Sequence, residues 1–264
     1  MDLINATKIL LVDDDDLSRR MMALLLSEKG YNYDVASNGI EAIEAVQSQP
    51  YDIILMDLQM PIMDGFEATS KIRSWEAGNH HTPIVALTAM LFDDEIQKCL
   101  SVGMDDCISK PFNTELLFQL IESYVGQSKE QAQTKDLQET TGIDEPMMLD
   151  IQSALPRFRK DVEIYREFLN EFMDDLPQRI NQFRTLFLSG DFKALADSAH
   201  NLKGISASMG AKQLSYLSQK LDQKSQDGDR PVIQQALDGI EEHVLALQNE
   251  AISILDGFTG QQEN

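Results

Sequence analysis

Between residues 8 and 125 the chain repeats one pattern five times: a short apolar run, then a stretch in which apolar residues recur at helical spacing. Runs near 8–12, 33–36, 52–57, 83–87 and 106–109 are short and bounded by turn residues, which predicts strands. The stretches 17–29, 39–48, 65–74, 93–101 and 113–125 carry the 3.6-residue period of amphipathic helices. A strand that returns to its sheet through a helix lies parallel to its predecessor. Five such units therefore predict one doubly wound, five-stranded parallel sheet with helices on both faces.

The strand pattern stops after this half. Residues 126–143 are rich in Gln, Lys, Glu, Ser and Thr and nearly free of apolar side chains, so they have no face to bury and read as a linker. From 144 to 256 only helical periods remain, over 149–158, 161–188, 191–209, 211–225 and 231–255, with Pro177 expected to kink the second. That half reads as an all-α helical bundle, and 257–264 as a polar tail. The domains are thus expected at 1–125 and 144–256.

The formal charge is -22 and no segment is basic. A nucleic acid partner would meet a field of the wrong sign, because neutralising phosphates requires clustered Lys and Arg. No run approaches the roughly 20 apolar residues that span a bilayer. Residues 1–8 lack a signal-peptide pattern, and the expected location is the cytoplasm. Cys99 and Cys107, without paired spacing, read as reduced thiols.

The chemistry concentrates at strand ends. In Ile53–Gly65 an apolar strand ends in Asp57, followed by a loop broken by Pro61 and closed by Gly65. Open α/β sheets bind their ligands beyond the carboxyl ends of the strands. Asp13 and Asp14 follow the first strand as Asp57 follows the third, so a flavodoxin-like strand order brings three carboxylates to one edge. Three adjacent anions call for a cation, and oxygen ligands on a hydrated site suit Mg²⁺. Thr88 ends the fourth strand and Lys110 the fifth, which adds a hydroxyl and an ammonium. A carboxylate nucleophile, a divalent cation and a fixed positive charge are the parts needed to accept a phosphoryl group.

These residues resemble the receiver domain of response regulators. Asp13-Asp14, Met56-Asp57, Met60-Pro61-Ile62-Met63-Asp64-Gly65, Leu87-Thr88-Ala89 and Lys110-Pro111-Phe112 match its motifs in order and spacing over about residues 7–125. The resemblance implies Asp57 as phosphoacceptor, Asp14 and the Gln59 carbonyl as metal ligands, and Asp13 as the holder of metal-bound water. Thr88 and Lys110 would contact the phosphoryl oxygens. Cys107 departs from the pattern, standing where receivers usually carry a Tyr or Phe that swings inward as the Thr engages the phosphoryl group. A thiol lacks that two-position bulk, so the usual aromatic readout is not expected, as would suit a domain that passes phosphate onward.

In the second half, the segment 191–210 places Leu195, Ala199, Ile205 and Met209 within about 60° of Leu202 on a helical wheel at 100° per residue. His200 falls about 160° from this stripe, beside Ala196, Gly204 and Ala207, where small side chains leave room for another protein. Lys203, at i+3, can neutralise an anion on the imidazole. The string His200–Gly210 resembles the signature of the histidine-phosphotransfer (HPt) domain, a helical bundle that carries phosphate on a histidine. The resemblance covers about residues 144–256 and implies His200 as phosphoacceptor, with Lys203 and the space above Gly204 assisting. His243 reads as an ordinary surface residue, and His80-His81 as a solvated pair.

Together the two resemblances imply a phosphorelay intermediate. A histidine kinase would phosphorylate Asp57, His200 would exchange the group with it, and a downstream response-regulator receiver would take it. The chain would be a carrier rather than a kinase, since its 14 glycines include no G-x-G pair and no P-loop. A receiver-gated adaptor, or the C-terminal part of a hybrid histidine kinase, is the alternative, the latter weakened by Met1 as a plausible start. A haloacid-dehalogenase-type phosphohydrolase, using Asp13 and Asp15 as a DxD motif with Thr88, Lys110 and Asp105-Asp106, has its Lys after the final acidic pair and leaves Asp57 unexplained.

Overall fold

The computed structural model describes residues 7–78, 80–88, 93–126 and 148–259. The chain forms two compact units, residues 1–142 and 143–264. Most of the 126–143 stretch lies outside the described residues.

In the first unit the elements alternate as β1 (Lys8–Val12), α1 (Asp16–Lys29), β2 (Asn32–Ala36), α2 (Gly39–Ser48), β3 (Ile53–Asp57), α3 (Gly65–Glu76), β4 (Ile84–Thr88), α4 (Asp93–Ser101), β5 (Asp106–Ser109) and α5 (Thr114–Val125). The strands pair in the order β2-β1-β3-β4-β5 and every pair is parallel. This is the flavodoxin-like order, whose chain reverses direction across the sheet between β1 and β3. The central strands β3 and β4 are buried at every residue, as continuous apolar runs with helices on both faces should be. Alternation in β1 sends Leu10 and Val12 into one core with Ala42 and Val46 of α2 and Ala68 and Ile72 of α3. Ile9 and Leu11 enter the other core, with Met22 and Leu25 of α1 and Leu117 and Ile121 of α5.

Helix starts are set by short polar side chains that accept otherwise orphaned backbone N–H groups. Asp15 caps α1 through Ser18, Asn38 caps α2 through Ile40 and Glu41, and Asp64 caps α3 through Glu67. Glu41 reaches back to the backbone N–H of Ser37, which fastens the same turn from its other side.

The second unit holds a short helix, α6 (Ile151–Ala154), a 3-10 turn (Leu155–Phe158), and the helices α7 (Val162–Ser189), α8 (Phe192–Ser208), α9 (Lys212–Asp227) and α10 (Arg230–Thr259). The helix expected over 149–158 thus breaks into two pieces, with Pro156 in the first turn of the second. The last helix runs three residues past the expected boundary at 256. Pro177 sits inside an unbroken α7. Lacking an N–H, it leaves the carbonyl of Met173 without its helical donor, and the Gln248 side chain of α10 donates to that oxygen at 3.0 Å. The lost bond is replaced from the neighbouring helix.

Phe158, Tyr165, Phe172 and Phe183 are fully buried, with Leu195, Leu202 and Leu221. The Tyr165 hydroxyl donates to the Met209 carbonyl at 3.0 Å in this interior, so α7 grips the end of α8. Tyr165→Phe is expected to lower the stability of this unit by about 1–2 kcal/mol, because a buried carbonyl loses its donor. Urea unfolding followed by helical circular dichroism measures it.

Candidate phosphoryl-acceptor sites

The four consecutive aspartates after β1 divide their work. Asp15 caps α1 and Asp16 pairs with Arg19 in its first turn. Asp13, 2% exposed, turns inward, and its Oδ1 accepts the Asp15 N–H at 2.9 Å. Arg19 donates to the Asp13 carbonyl at 2.6 Å and holds the loop to the helix. Asp57 arrives from the end of β3, also buried, with its Oδ1 accepting the Gln59 N–H at 3.2 Å. Oxygens of Asp13, Asp14 and Asp57 all lie within 4.8 Å of one another.

Lys110 closes the cluster. Its Nζ donates to Asp13 Oδ2 and to Asp57 Oδ2, both at 2.6 Å. Its backbone N–H donates to the Thr88 carbonyl, and the Lys110–Pro111 peptide is cis. Burial disfavours the Lys110 ammonium, but the two carboxylates outweigh burial and hold its pKa above the ordinary lysine value. Burial pushes the Asp13 carboxyl up to about 7, with Lys110 opposing the rise and Asp57 adding to it. The donors are all hard oxygens, with the partly exposed Asp14 as the third carboxylate, which fits a Mg²⁺-type ion.

Thr88 is buried at the end of β4, and its hydroxyl donates to Glu95 Oε2 of α4 at 2.9 Å. Glu95 was not legible as a site residue. Cys107 is half-buried on β5 and packs against the core that contains Cys99 and Met104, where burial pushes its thiol up to about 12. Both thiols are free, and this one is placed for packing rather than reaction.

In the bundle, His200 lies on α8 as the wheel requires, away from Leu195, Ala199 and Leu202, which are fully buried. It is less open than expected: the side chain is 12% exposed, and its Nδ1 meets Asp222 Oδ2 of α9 at 3.1 Å. A carboxylate can only accept, so Nδ1 carries the proton and Nε2 keeps its lone pair. The other Asp222 oxygen accepts from Gln226 at 2.8 Å. Lys203, Gly204 and Ala207 are half-exposed, while Ala196 is buried. The Ser215 hydroxyl ties α9 to the Lys203 carbonyl at 3.0 Å. Asp222 was missed, although an acid in line with the buried Ser218, Leu221 and Ser225 was a visible irregularity in a core stripe.

Of the other histidines, His80 and His81 are exposed as expected, whereas His243 departs from its reading as a surface residue. His243 is half-buried with its Nε2 enclosed and lacking a hydrogen-bond partner, and burial lowers its pKa. His81 pairs with Asp105 at 2.5 Å and His80 packs edge-on to Trp75.

Comparison with known proteins agrees with both halves. Residues 9–122 match the response regulator receiver domain and residues 167–250 match the Hpt domain. The chain joins a receiver domain to an HPt domain. Sensor protein GacS of Pseudomonas syringae pv. syringae is 29% identical over 252 residues, which is 93% of this chain and 27% of that protein. Hybrid signal transduction histidine kinase B of Dictyostelium discoideum is 47% identical over 129 residues, 45% of this chain and 7% of that protein. The chain therefore spans about a quarter or less of these relatives' length. Among solved structures, the receiver domain of sensor histidine kinase PA1611 from Pseudomonas aeruginosa PAO1, with a magnesium ion in its active-site cleft, is 36% identical with a TM-score of 0.43. That match covers 46% of this chain and 98% of the other. Among the described residues no helix of this receiver–HPt chain is long and apolar enough to cross a membrane.

Proposed function

We infer that this chain is a phosphorelay intermediate that takes a phosphoryl group on Asp57 from the phosphohistidine of a kinase and exchanges it with His200, which delivers it to a downstream receiver. The observation that carries the reading is Lys110 bridging Asp13 and Asp57 inside an all-oxygen cluster. In the receiver step an Asp57 oxygen attacks phosphorus, the P–O bond forms and the P–N bond breaks. The electron pair returns to the donor imidazole, which takes up a proton. Lys110 and Thr88 compensate the charge on the phosphoryl oxygens. A divalent cation held by Asp13, Asp14, Asp57 and the Gln59 carbonyl would neutralise phosphoryl charge while it is bound. In the HPt step Nε2 of His200 attacks phosphorus, since Asp222 fixes the proton on Nδ1; the P–N bond forms, the P–O bond to Asp57 breaks with its electron pair returning to the carboxylate, and Lys203 is close enough along the helix to balance the anion.

Labelling tests the assignment. With acetyl phosphate and Mg²⁺, the His200→Gln chain should take one base-labile phosphate that a further Asp57→Asn abolishes. With phosphoramidate, Asp57→Asn should take an acid-labile, base-stable phosphate that His200→Gln abolishes. ATP alone should label neither. Turnover of a phosphomonoester, or label retained in the doubly substituted chain, would overturn the reading.

A further inference from the structure

The Thr88 hydroxyl is committed before any phosphoryl group arrives. Strand register sets Asp57 of β3 against Leu87 of β4, so Thr88 lies one residue beyond the acceptor at the same edge of the sheet. Its side chain is buried, and its hydroxyl donates to Glu95 Oε2 at 2.9 Å. Glu95 is half-buried in the first turn of α4. A carboxylate only accepts and a hydroxyl carries one proton, so the proton that faces Glu95 is the one Thr88 would offer to a phosphoryl oxygen. One proton cannot serve both acceptors at full strength. Cys107 locates the same carboxylate from β5. Burial, followed by Asp106, Cys99 and Glu95, raises its thiol, which puts Glu95 within electrostatic reach of the position where receivers usually carry the swinging aromatic. Here a thiol fills that position, and an acid from α4 engages the threonine.

We propose that Glu95 is a positioning residue of the receiver step: it holds the Thr88 hydroxyl while Asp57 is unphosphorylated and must yield it to the phosphoryl group, which lowers the equilibrium share of phosphate on Asp57 and favours its passage to a histidine. The inference rests on the phosphorelay reading and deepens it. No bond to phosphorus involves Glu95. As the P–O bond to Asp57 forms, the hydrogen bond from Thr88 to Glu95 is exchanged for one from Thr88 to a phosphoryl oxygen. The proton stays on the Thr88 oxygen throughout, and the half-buried carboxylate takes water in its place. Both bonds run to ionised acceptors and are strong of their kind. What Thr88 contributes to the phosphorylated state is therefore reduced by what it gives up at Glu95, and that state is less populated than it would be with no acceptor on α4. A less stable phosphoaspartate is the better donor to an imidazole, as suits a chain that passes phosphate onward.

The test measures how phosphate divides between a histidine and Asp57. The donor is the full chain carrying Asp57→Asn, phosphorylated on His200 with phosphoramidate and desalted. Acceptors are full chains carrying His200→Gln, alone or with Glu95→Ala, Glu95→Gln, Thr88→Val, or Thr88→Val and Glu95→Ala together, all with Mg²⁺. Glu95→Ala should raise the ratio of phospho-Asp57 to phospho-His200 about tenfold, equivalent to about 1.4 kcal/mol. Glu95→Gln loses the charge but keeps an oxygen that accepts the hydroxyl, so its ratio should stay near the parent's. In the Thr88→Val chain the ratio should fall, and adding Glu95→Ala should change it no further. Without phosphodonor, the losses of receiver stability in urea from Glu95→Ala and Thr88→Val should not add, because both remove the same bond. An unchanged or lower ratio in Glu95→Ala overturns the proposal. So does an equal rise in the Gln and Ala chains, or a rise that persists with Thr88→Val, since either assigns the effect to charge alone. Additive losses in urea overturn the contact itself. Failure of the chain carrying only His200→Gln to label with acetyl phosphate overturns the phosphorelay reading, whereas normal labelling with an unchanged Glu95→Ala ratio overturns this inference and leaves that reading standing.

Discussion

Gly65→Ala is expected to unfold the receiver or leave it barely stable. A Cβ at position 65 would stand 2.2 Å from the Asp57 carbonyl oxygen and 3.1 Å from the Leu58 Cα, both backbone atoms of the strand end. Neither can rotate away as a side-chain tip would. The Gly65 N–H donates to the Leu58 carbonyl at 3.0 Å, so helix α3 starts against the last residues of β3. Making room means pulling α3 off the sheet and with it the buried Ala68 and Ile72. Overpacking by one methyl typically costs about 1–3 kcal/mol where side chains can move. Backbone on both sides of the clash puts this substitution above that range, close to the whole stability of a domain of this size. Urea unfolding of Gly65→Ala, followed through the receiver's single Trp75, would show a shifted or absent first transition, with the helical-bundle transition unchanged. A receiver as stable as the parent would contradict the close approach.

The same contact shows what was legible in the sequence and what was not. Gly65 could be read as a loop-closing glycine before a helix, but not as a residue pressed against the strand it follows, because that contact depends on how α3 packs. The central strands β1, β3 and β4 were legible as short apolar runs buried on both faces, and the more exposed edge strands β2 and β5 by their place in the repeating pattern. Asp13, Asp57 and Lys110 were legible as strand-end residues, and strand order alone brings strand ends together. Contacts between helices were hidden. Asp222 lies 22 residues from His200, on a helix whose rotation about its axis is set by packing. On α8 alone the imidazole points to solvent; α9, tied to α8 through Ser215, covers most of it. Thr88 was found as a strand end, whereas its bond to Glu95 depends on where α4 begins. The positive φ of Ile62 (73°) was hidden too, since it contradicts the local preference of a β-branched residue and depends on the buried Met60 and Met63 beside it. Pro177 was expected to kink its helix for a sound local reason, yet a side chain from α10 supplies the missing donor.

Lys110→Met should separate the two roles of this ammonium. It is buried between Asp13 and Asp57 at 2.6 Å from each. Methionine keeps a similar length and apolar stem, so packing is largely retained while the charge is lost. What remains is a pocket of carboxylates without its fixed counter-charge, and breaking a buried pair in this way costs about 3–5 kcal/mol. The receiver transition in urea should fall by that order in the presence of a chelator. Added Mg²⁺ should restore part of the loss, because a bound cation neutralises the same oxygens and binds only the folded site. Asp57 labelling should nevertheless stay low at saturating Mg²⁺, by about a hundredfold or more, since removal of one oriented charge from a phosphoryl-transfer site costs about 2.7–4 kcal/mol. The two measurements fail independently. Stability that does not drop would mean that the carboxylates protonate or find other donors. Labelling that Mg²⁺ restores in full would mean that the lysine serves only to neutralise the folded site, leaving the transferring group to the metal and Thr88.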